Sequence, residues 1–145
     1  MAYTYDYPRP ALTVDCVIFA KDNGTWKVLL IERKHEPFAG KWALPGGFVD
    51  ENETVEQAAA RELFEETHVQ NVPIQQFSVF SAPQRDPRGW TVAVAHWAIV
   101  DIKDCKPQAG DDASAAEWVA LDSISEMAFD HLLILEEARK VAKIS

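Results

Sequence analysis

The segment from Thr54 to Thr67 constrains the fold of this chain more than any other part of the sequence. It is rich in helix-forming residues, and Thr54 and Gln57 have the spacing of a capping box, so it predicts an α-helix that begins at about Val55. The helix needs a sheet on which to pack its apolar side. That side is predicted to consist of Leu63, Ala60 and Phe64.

Three carboxylates of this helix, those of Glu62, Glu65 and Glu66, fall within an arc of roughly 100°. Like charges at helical spacing repel one another, and negative charge in the last turn opposes the helix dipole. A solvated helix face does not require this arrangement, whereas a hard cation such as Mg²⁺ or Mn²⁺ requires a cluster of carboxylate oxygens. The spacing therefore predicts a metal site. Arg61 is placed either to hold Glu65 in one rotamer or to form an ordinary surface ion pair.

The charge of the chain is concentrated in the same region. The net charge is −9, and residues 50–66 contain seven acidic residues and one basic residue. This balance argues against a general nucleic-acid-binding surface, because phosphate contacts need a basic face. A phosphate-containing ligand would reach these carboxylates only with a cation that reverses the local charge. We expect a small-molecule ligand and no nucleic acid partner.

The length of 145 residues, with 48% hydrophobic residues, is typical of a single compact domain, predicted over residues 1–145. Cys16 and Cys105 form no Cys-x-x-Cys pair, which argues against a zinc ribbon or a disulfide scaffold. We find no signal-like apolar run and no stretch of membrane-spanning length. The sequence therefore predicts a cytoplasmic protein without a membrane partner.

The remaining segments predict strands on both sides of the helix. Ala11–Ala20 and Thr25–Arg33 flank the turn Asn23-Gly24 and predict a β-hairpin whose second strand is covered on both faces. The other predicted elements are strands at 74–82, 91–101 and 117–121, a helical turn at 122–127 and a closing helix at 130–143. This order favours an α/β (α+β) architecture in which a mixed β-sheet lies between helices.

The sequence around the predicted helix resembles the Nudix box, G-x5-E-x7-R-E-U-x-E-E-x-G-U, where U is aliphatic. The matching residues are Gly47, Glu53, Arg61, Glu62, Leu63, Glu65, Glu66 and Val69. The departure is His68, which stands where the family has glycine. We expect His68 to end the helix with a positive φ, at a cost of about 1 kcal/mol, and not to act as a metal ligand.

The resemblance implies a Nudix hydrolase with an αβα sandwich, which uses Mg²⁺ or Mn²⁺ to cleave a nucleoside diphosphate derivative. The implied metal ligands are Glu62, Glu66 and a carbonyl oxygen of Gly46 or Gly47. Glu65 is implied as either a further metal ligand or the base. Glu53 is implied as a catalytic helper at the start of the box, and Arg61 as a residue that holds the carboxylates. The candidates for a base from a later loop are Asp111, Asp112 and Glu117, of which we prefer Asp112.

Short motifs outside the box resemble the ADP-ribose pyrophosphatases and related ADP-ribose-sensing regulators. They are Tyr7-Pro8-Arg9-Pro10, Val14-Asp15, Arg85-Asp86-Pro87-Arg88-Gly89 and Phe129-Asp130-His131. Arginine forks suit phosphate oxygens, so Arg33, Arg85 and Arg88 are candidate substrate-binding residues. Phe38 and Trp42, with Trp90, are candidates for stacking on adenine. His96 lies within a predicted strand and is interpreted as structural.

The favoured function is hydrolysis of ADP-ribose to AMP and ribose 5-phosphate. The alternatives are a housecleaning nucleoside triphosphate or dinucleotide hydrolase, a module that senses ADP-ribose without cleaving it, and an acidic helix that binds a partner without metal. A homodimer is compatible with the predicted strand edges, although no sequence feature locates its interface.

Overall fold

A computed structural model describes residues 3–110 and 112–145. In that part of the chain seven strands and two α-helices occur, joined by turns and two short 3-10 helices. Their bounds are β1 (Ala11–Asp22), β2 (Thr25–Arg33), β3 (Trp42–Ala43), β4 (Gly46–Phe48), α1 (Val55–Thr67), β5 (Gln75–Phe80), β6 (Thr91–Ile99), β7 (Ala113–Ala120) and α2 (His131–Ala142).

The strands form one mixed sheet with the order β3-β2-β1-β6-β5, to which β4 adds beside β1 and β7 beside β2. The pair β1–β6 is parallel, and the other pairs are antiparallel. Alternate residues of β1 point to opposite faces: Val14 and Ile18 pack in the cluster that contains α1, whereas Val17 and Phe19 pack in the cluster that contains α2. The predicted mixed sheet between helices is confirmed.

The hairpin at the centre of the sheet follows from its turn residues. Asn23 and Gly24 have φ values of 50° and 85°, the conformation that a two-residue hairpin turn demands. On β2, Leu29 packs beneath α1 while Val28 and Leu30 pack beneath α2. The prediction that this strand is covered on both faces is confirmed.

The later elements are present, but their bounds differ from the predicted ones. The last strand is longer than the predicted 117–121 because Ala113–Ala116 pair with the end of β2. This part contains alanine and serine rather than β-branched residues, so tertiary pairing and not local propensity makes it a strand. The helical turn predicted at 122–127 is a 3-10 turn at Leu121–Ser123. Two further short strands, β3 and β4, lie between the hairpin and α1, where the sequence predicted no strand.

Helix α1 begins where its capping box predicts. The Thr54 side chain accepts a hydrogen bond from the Gln57 amide at 3.1 Å, and the Gln57 side chain accepts one from the Thr54 amide at 2.9 Å. The helix ends at His68, which has φ 62° and donates its backbone N–H to Phe64 O. The expected positive φ at this position is confirmed.

The buried arc of α1 differs from the predicted one. Ala58, Ala59 and Leu63 are buried, whereas Ala60 is exposed and Phe64 is 42% exposed, so the prediction for Ala60 and Phe64 is wrong. On a helical wheel, Ala58, Ala59 and Leu63 surround the direction of Glu66. The buried and acidic sides of α1 therefore overlap, and part of the carboxylate cluster is directed toward the sheet.

His96 on β6 is fully buried on the face that packs against α1, and neither ring nitrogen has a hydrogen-bond partner among the described residues. Burial lowers the pKa of His96 below its usual value, so the folded protein holds the neutral imidazole. In the unfolded chain His96 takes up a proton at about pH 6.5, and the folded state therefore loses stability as the pH falls below that value.

We expect His96→Leu to raise the free energy of unfolding by about 1 kcal/mol at pH 7, because it removes two unsatisfied buried polar atoms. The gain in the free energy of unfolding should increase as the pH falls from 6.5 to 5, because the wild type loses stability over that range. Urea unfolding at several pH values measures both effects. The exposed His35→Leu is the matched control, and equal pH dependence in wild type and His96→Leu would contradict the prediction.

Both cysteines are free and buried, which agrees with the absence of a disulfide scaffold. Over residues 3–110 and 112–145, no helix combines the length and the apolar composition that crossing a bilayer requires.

Candidate active site

One pocket of about 690 Å³ lies where the start of β1, the end of β2, β4, α1 and the loops before β6, β7 and α2 meet. Of the residues predicted from the sequence, it is lined by Arg33, Gly46, Gly47, Glu62, Glu65, Glu66, Arg85, Arg88 and Asp112. Asp111 lies outside the described residues. The fold thus brings the predicted metal-binding glutamates and the predicted phosphate-binding arginines into the same pocket.

Glu66 is a half-buried carboxylate of the pocket. Its Oε1 accepts a hydrogen bond of 2.7 Å from the Gly46 amide, which holds it against β4. Burial raises the pKa of Glu66 to about 8, and the nearby carboxylates of Glu62 and Asp15 act in the same direction. A bound divalent cation would supply the positive charge that this carboxylate lacks.

Glycine is required in β4 because two neighbours leave no room for a side chain. A Cβ at Gly47 would lie 2.6–2.7 Å from the carboxyl atoms of Glu62, and a Cβ at Gly46 would lie 2.1 Å from Val14 O. At Gly46 and Gly47, therefore, the backbone of β4 lies directly against β1 and the Glu62 carboxylate, with no side chain between them.

Arg61 joins the carboxylates into one network. Its guanidinium donates to Glu53 at 2.7 and 2.9 Å, to Glu62 at 2.7 Å and to Glu65 at 3.1 Å. A fourth group, Phe48 O, accepts from the same side chain at 3.0 Å. The bonds from Arg61 lower the pKa of Glu53 to about 2, whereas burial raises the pKa of Glu62. Of the two sequence interpretations of Arg61, the geometry favours the one in which it orients the cluster.

The donor set suits a hard divalent cation, since it consists of carboxylate and backbone oxygens. Within residues 3–110 and 112–145, no three acidic, histidine or cysteine side chains already converge on one point. The reason lies in their present partners: Arg61 binds Glu62 and Glu65, and the Gly46 amide binds Glu66. A cation would take the place of some of these bonds, so the residues present fit the predicted metal.

The opposite wall combines two guanidinium groups with two aromatic rings. The Arg88 Cζ lies 5.3 Å from the ring centre of Phe48 and 5.0 Å from that of Phe129, and the Arg33 Cζ lies 4.9 Å from Phe129. Asp86 fixes Arg88 through a bond of 2.8 Å. Burial and the neighbouring Arg88 lower the pKa of Arg33. We call Phe48, Arg88, Phe129 and Arg33 the cationic wall.

Phe48 and Phe129 were absent from the predicted set of stacking residues. The structure instead places Phe38 behind Phe129, with ring centres 4.9 Å apart, and packs Trp42 against the core below α2. Trp90 is 47% exposed. None of these three appears in the pocket lining as the described residues define it. Two signals in the sequence pointed to the Phe48 and Phe129 rings: Phe48 follows the Gly46-Gly47 pair, and Phe129 belongs to the motif Phe129-Asp130-His131.

Arg85 lines the pocket but is already paired. Its guanidinium is 4% exposed and forms a fork with Asp130, at 2.6 and 2.8 Å, with a third bond of 2.9 Å to Thr91. His131 accepts the Leu44 amide on Nδ1 and directs Nε2 toward Asp15 at 3.3 Å. The Arg85–Asp130 ion pair and the His131–Asp15 contact thus join three of the motifs outside the box and fix the wall on which Arg88 and Phe129 lie.

Comparison with known proteins agrees with this site. Residues 9–138 match the model of the NUDIX domain. The chain is 44% identical over 131 residues to an ADP-ribose pyrophosphatase of Methanocaldococcus jannaschii, covering 90% of this chain and 74% of that protein. It is 38% identical over 137 residues to the ADPR responsive transcriptional repressor NtrR of Acinetobacter baylyi, covering 92% of this chain and about half, 54%, of the repressor.

Among solved structures, the NUDIX domain of Shewanella oneidensis NrtR complexed with ADP ribose superposes with a TM-score of 0.88 at 37% identity. The match covers 95% of this chain and 94% of that one. The mixed sheet between two helices and the glutamate cluster on the helix that follows the glycine pair agree with these matches. The chain belongs to the NUDIX family.

Proposed function

We propose that the protein hydrolyses the pyrophosphate bond of ADP-ribose to AMP and ribose 5-phosphate, through the single domain predicted over residues 1–145. The observation that carries the proposal is the pocket that is lined both by the glutamates of α1 and by the cationic wall. Such a pocket suits a ligand that has a charged centre, which binds the metal, and an aromatic end, which stacks on a ring of the pocket. The relatives named for ADP-ribose support the choice of substrate.

A Mg²⁺ or Mn²⁺ ion held by Glu62, Glu66 and a carbonyl of Gly46 or Gly47, with Glu65 as a further ligand, would polarise the phosphoryl group and acidify the attacking water. Arg61 and Glu53 keep these carboxylates in place. Asp112 lines the pocket and accepts the proton of the attacking water. One water oxygen bonds to phosphorus, one bridging P–O bond breaks, and the two products share the added hydrogen and hydroxyl.

The cationic wall accounts for binding of the rest of the substrate. Guanidinium forks donate to phosphate oxygens in pairs, and both guanidinium planes and aromatic rings stack on bases. Arg33 and Arg88 are therefore assigned to the pyrophosphate oxygens, and Phe48 and Phe129 offer ring faces to adenine. In this assignment Arg85 supports the wall through Asp130 and does not donate to the substrate.

We expect Arg88→Met to raise the KM for ADP-ribose about tenfold with less than a threefold change in kcat. A hydrogen bond to a charged group is worth about 1.5 kcal/mol, and each 1.4 kcal/mol is a factor of ten in binding. Steady-state kinetics measures the split. Arg9→Met is the matched control, since Arg9 also stacks on an aromatic ring, Tyr5, at 4.2 Å but lies outside the pocket. A fall in kcat without a change in KM would contradict the assignment.

The substrate is tested by a panel. The purified protein is incubated with Mg²⁺ and ADP-ribose, NADH, diadenosine polyphosphates, 8-oxo-dGTP or sugar nucleotides, and the initial rates are compared. ADP-ribose is expected among the fastest. Preference for a nucleoside triphosphate or dinucleotide would instead favour a housecleaning enzyme and would contradict the proposed substrate.

A sensing module is the second candidate, supported by the similarity to the repressor of Acinetobacter baylyi. It predicts tight binding of ADP-ribose without turnover, whereas the proposed enzyme releases AMP. A thermal melt with Mn²⁺ separates both from the third alternative, because a metal-free partner-binding helix predicts no stabilisation by the ion. We further propose that the protein acts in the cytoplasm, and a homodimer stays a prediction that sedimentation can test.

A further inference from the structure

The C-terminal end of α1 is covered by the segment that precedes β7. The Gln108 amide donates to Thr67 O at 2.8 Å, and the Gly110 amide donates to Glu66 O at 3.1 Å. A Cβ at Gly110 would lie 1.9 Å from Glu65 O, so only glycine allows this approach. The last carbonyl groups of a helix lack partners within it, and here residues 108–110 supply them.

His68 adds a side-chain bond to this contact. Its Nδ1 lies 2.7 Å from Gln108 O. A carbonyl oxygen only accepts hydrogen bonds, so Nδ1 carries the proton and donates. With φ at 62°, His68 has the left-handed conformation that glycine adopts most readily, yet glycine cannot make this bond. His68 in place of the family's glycine therefore introduces strain in the backbone but adds a bond to the neighbouring segment.

This segment leads directly to Asp112 in the pocket. Gly110 is docked on α1, and Ala113, which follows Asp112, pairs with Arg33 of β2. Asp112 thus lies between one anchor on the helix that carries Glu66 and one anchor on the sheet. The first anchor contains the bond from His68 to Gln108.

We propose that His68 is a positioning residue: its side chain fixes residues 108–110 on α1 and thereby holds Asp112 at the distance from the α1 carboxylates that the reaction needs. This inference rests on the proposed function and on the proposed role of Asp112. His68 does not touch the pocket as the described residues define it, so it acts through Gln108 and not on the substrate.

The test compares His68→Gly with wild type in the full chain. Glycine keeps the left-handed helix end and removes the side-chain bond, which is worth about a fivefold change in a local opening equilibrium, together with the edge contact of the His68 ring with Phe64. Amide hydrogen exchange at Gln108 and Gly110 is expected to become about five times faster, while exchange in the middle of α1 stays unchanged. The kcat is expected to fall about fivefold, with KM within twofold of wild type, because loss of the bond also loosens the placement of Asp112 while the segment stays docked, and small displacements of a catalytic group are costly.

Gln108→Ala is the matched control. It alters the same contact but leaves the backbone carbonyl that His68 binds, so both exchange and kcat should stay within twofold of wild type. Unchanged exchange in His68→Gly overturns the proposal. Faster exchange with unchanged kcat also overturns it, because the segment would then be fixed without any effect on the reaction.

Coupling to Asp112 is tested in the Asp112→Asn background. If His68 acts through Asp112, adding His68→Gly to Asp112→Asn should not lower kcat further. A further fivefold loss would mean that His68 acts by another route and would overturn the proposal. If the wild type turns over no substrate, the proposed function fails, whereas the exchange measurement still decides whether His68 fixes the segment.

Discussion

Replacing Glu66 with glutamine should lower kcat for ADP-ribose by about 10³-fold while the protein stays folded. The proposed metal contributes several kcal/mol to stabilisation of the transition state, and each 1.4 kcal/mol is a factor of ten in rate. Glutamine still offers an oxygen to the Gly46 amide. Because glutamine carries no charge, it also avoids the cost of burying a carboxylate, which is the effect that raises the pKa of Glu66 to about 8. The melting temperature without metal should therefore equal or exceed that of wild type.

The control for this change is Glu56→Gln, which alters the same residue type on the same helix. Glu56 is exposed, binds Gln76 and lies outside the pocket. The kcat of this control should stay within twofold of wild type, and Mn²⁺ should stabilise it as it stabilises wild type. Mn²⁺ should stabilise Glu66→Gln much less. Near-normal activity of Glu66→Gln would remove Glu66 from the set of metal ligands.

The features of α1 that depend on neighbours in sequence were predictable. The capping box specifies the start of the helix, and the spacing of Glu62, Glu65 and Glu66 specifies that they share one side. The burial of Glu66 was not predictable from the wheel, because it depends on how the helix is rotated against the sheet. Ala58 and Ala59 are small enough to let α1 approach the sheet closely, so that the buried arc includes the direction of Glu66.

The pocket wall shows where local patterns stop being informative. Arg85 and Arg88 lie in one short loop and offer the same chemistry, yet Asp130, which is distant in sequence, binds the first, and Asp86, which is local, binds the second. Both guanidinium groups are paired, but the Arg85 side chain is 4% exposed and the Arg88 side chain is 41% exposed, and only the fold decides this difference. The same holds for Phe129, which joins Arg33 and Arg88 across three separate segments.

Arg61→Lys should lower kcat roughly 10- to 100-fold although it conserves the charge. Lysine is a single-point donor, whereas the Arg61 guanidinium binds Glu53, Glu62, Glu65 and Phe48 O at the same time. Loss of a group that orients metal ligands costs one to two orders of magnitude in metal affinity or activity. Titration of activity with Mg²⁺ should also show a higher metal requirement.

Arg139→Lys provides the matched control, since Arg139 forms only an i,i+3 pair with Glu136 at 3.7 Å on the surface of α2. Its kcat should be unchanged. Because the pKa of Glu53 is held at about 2, the Arg61–Glu53 pair stays intact throughout pH 5–8 in wild type. Wild-type kcat in Arg61→Lys would show that positive charge alone, and not the fork, holds the carboxylates. In that case Arg61 would be an ordinary ion-pair residue and not the centre of the network.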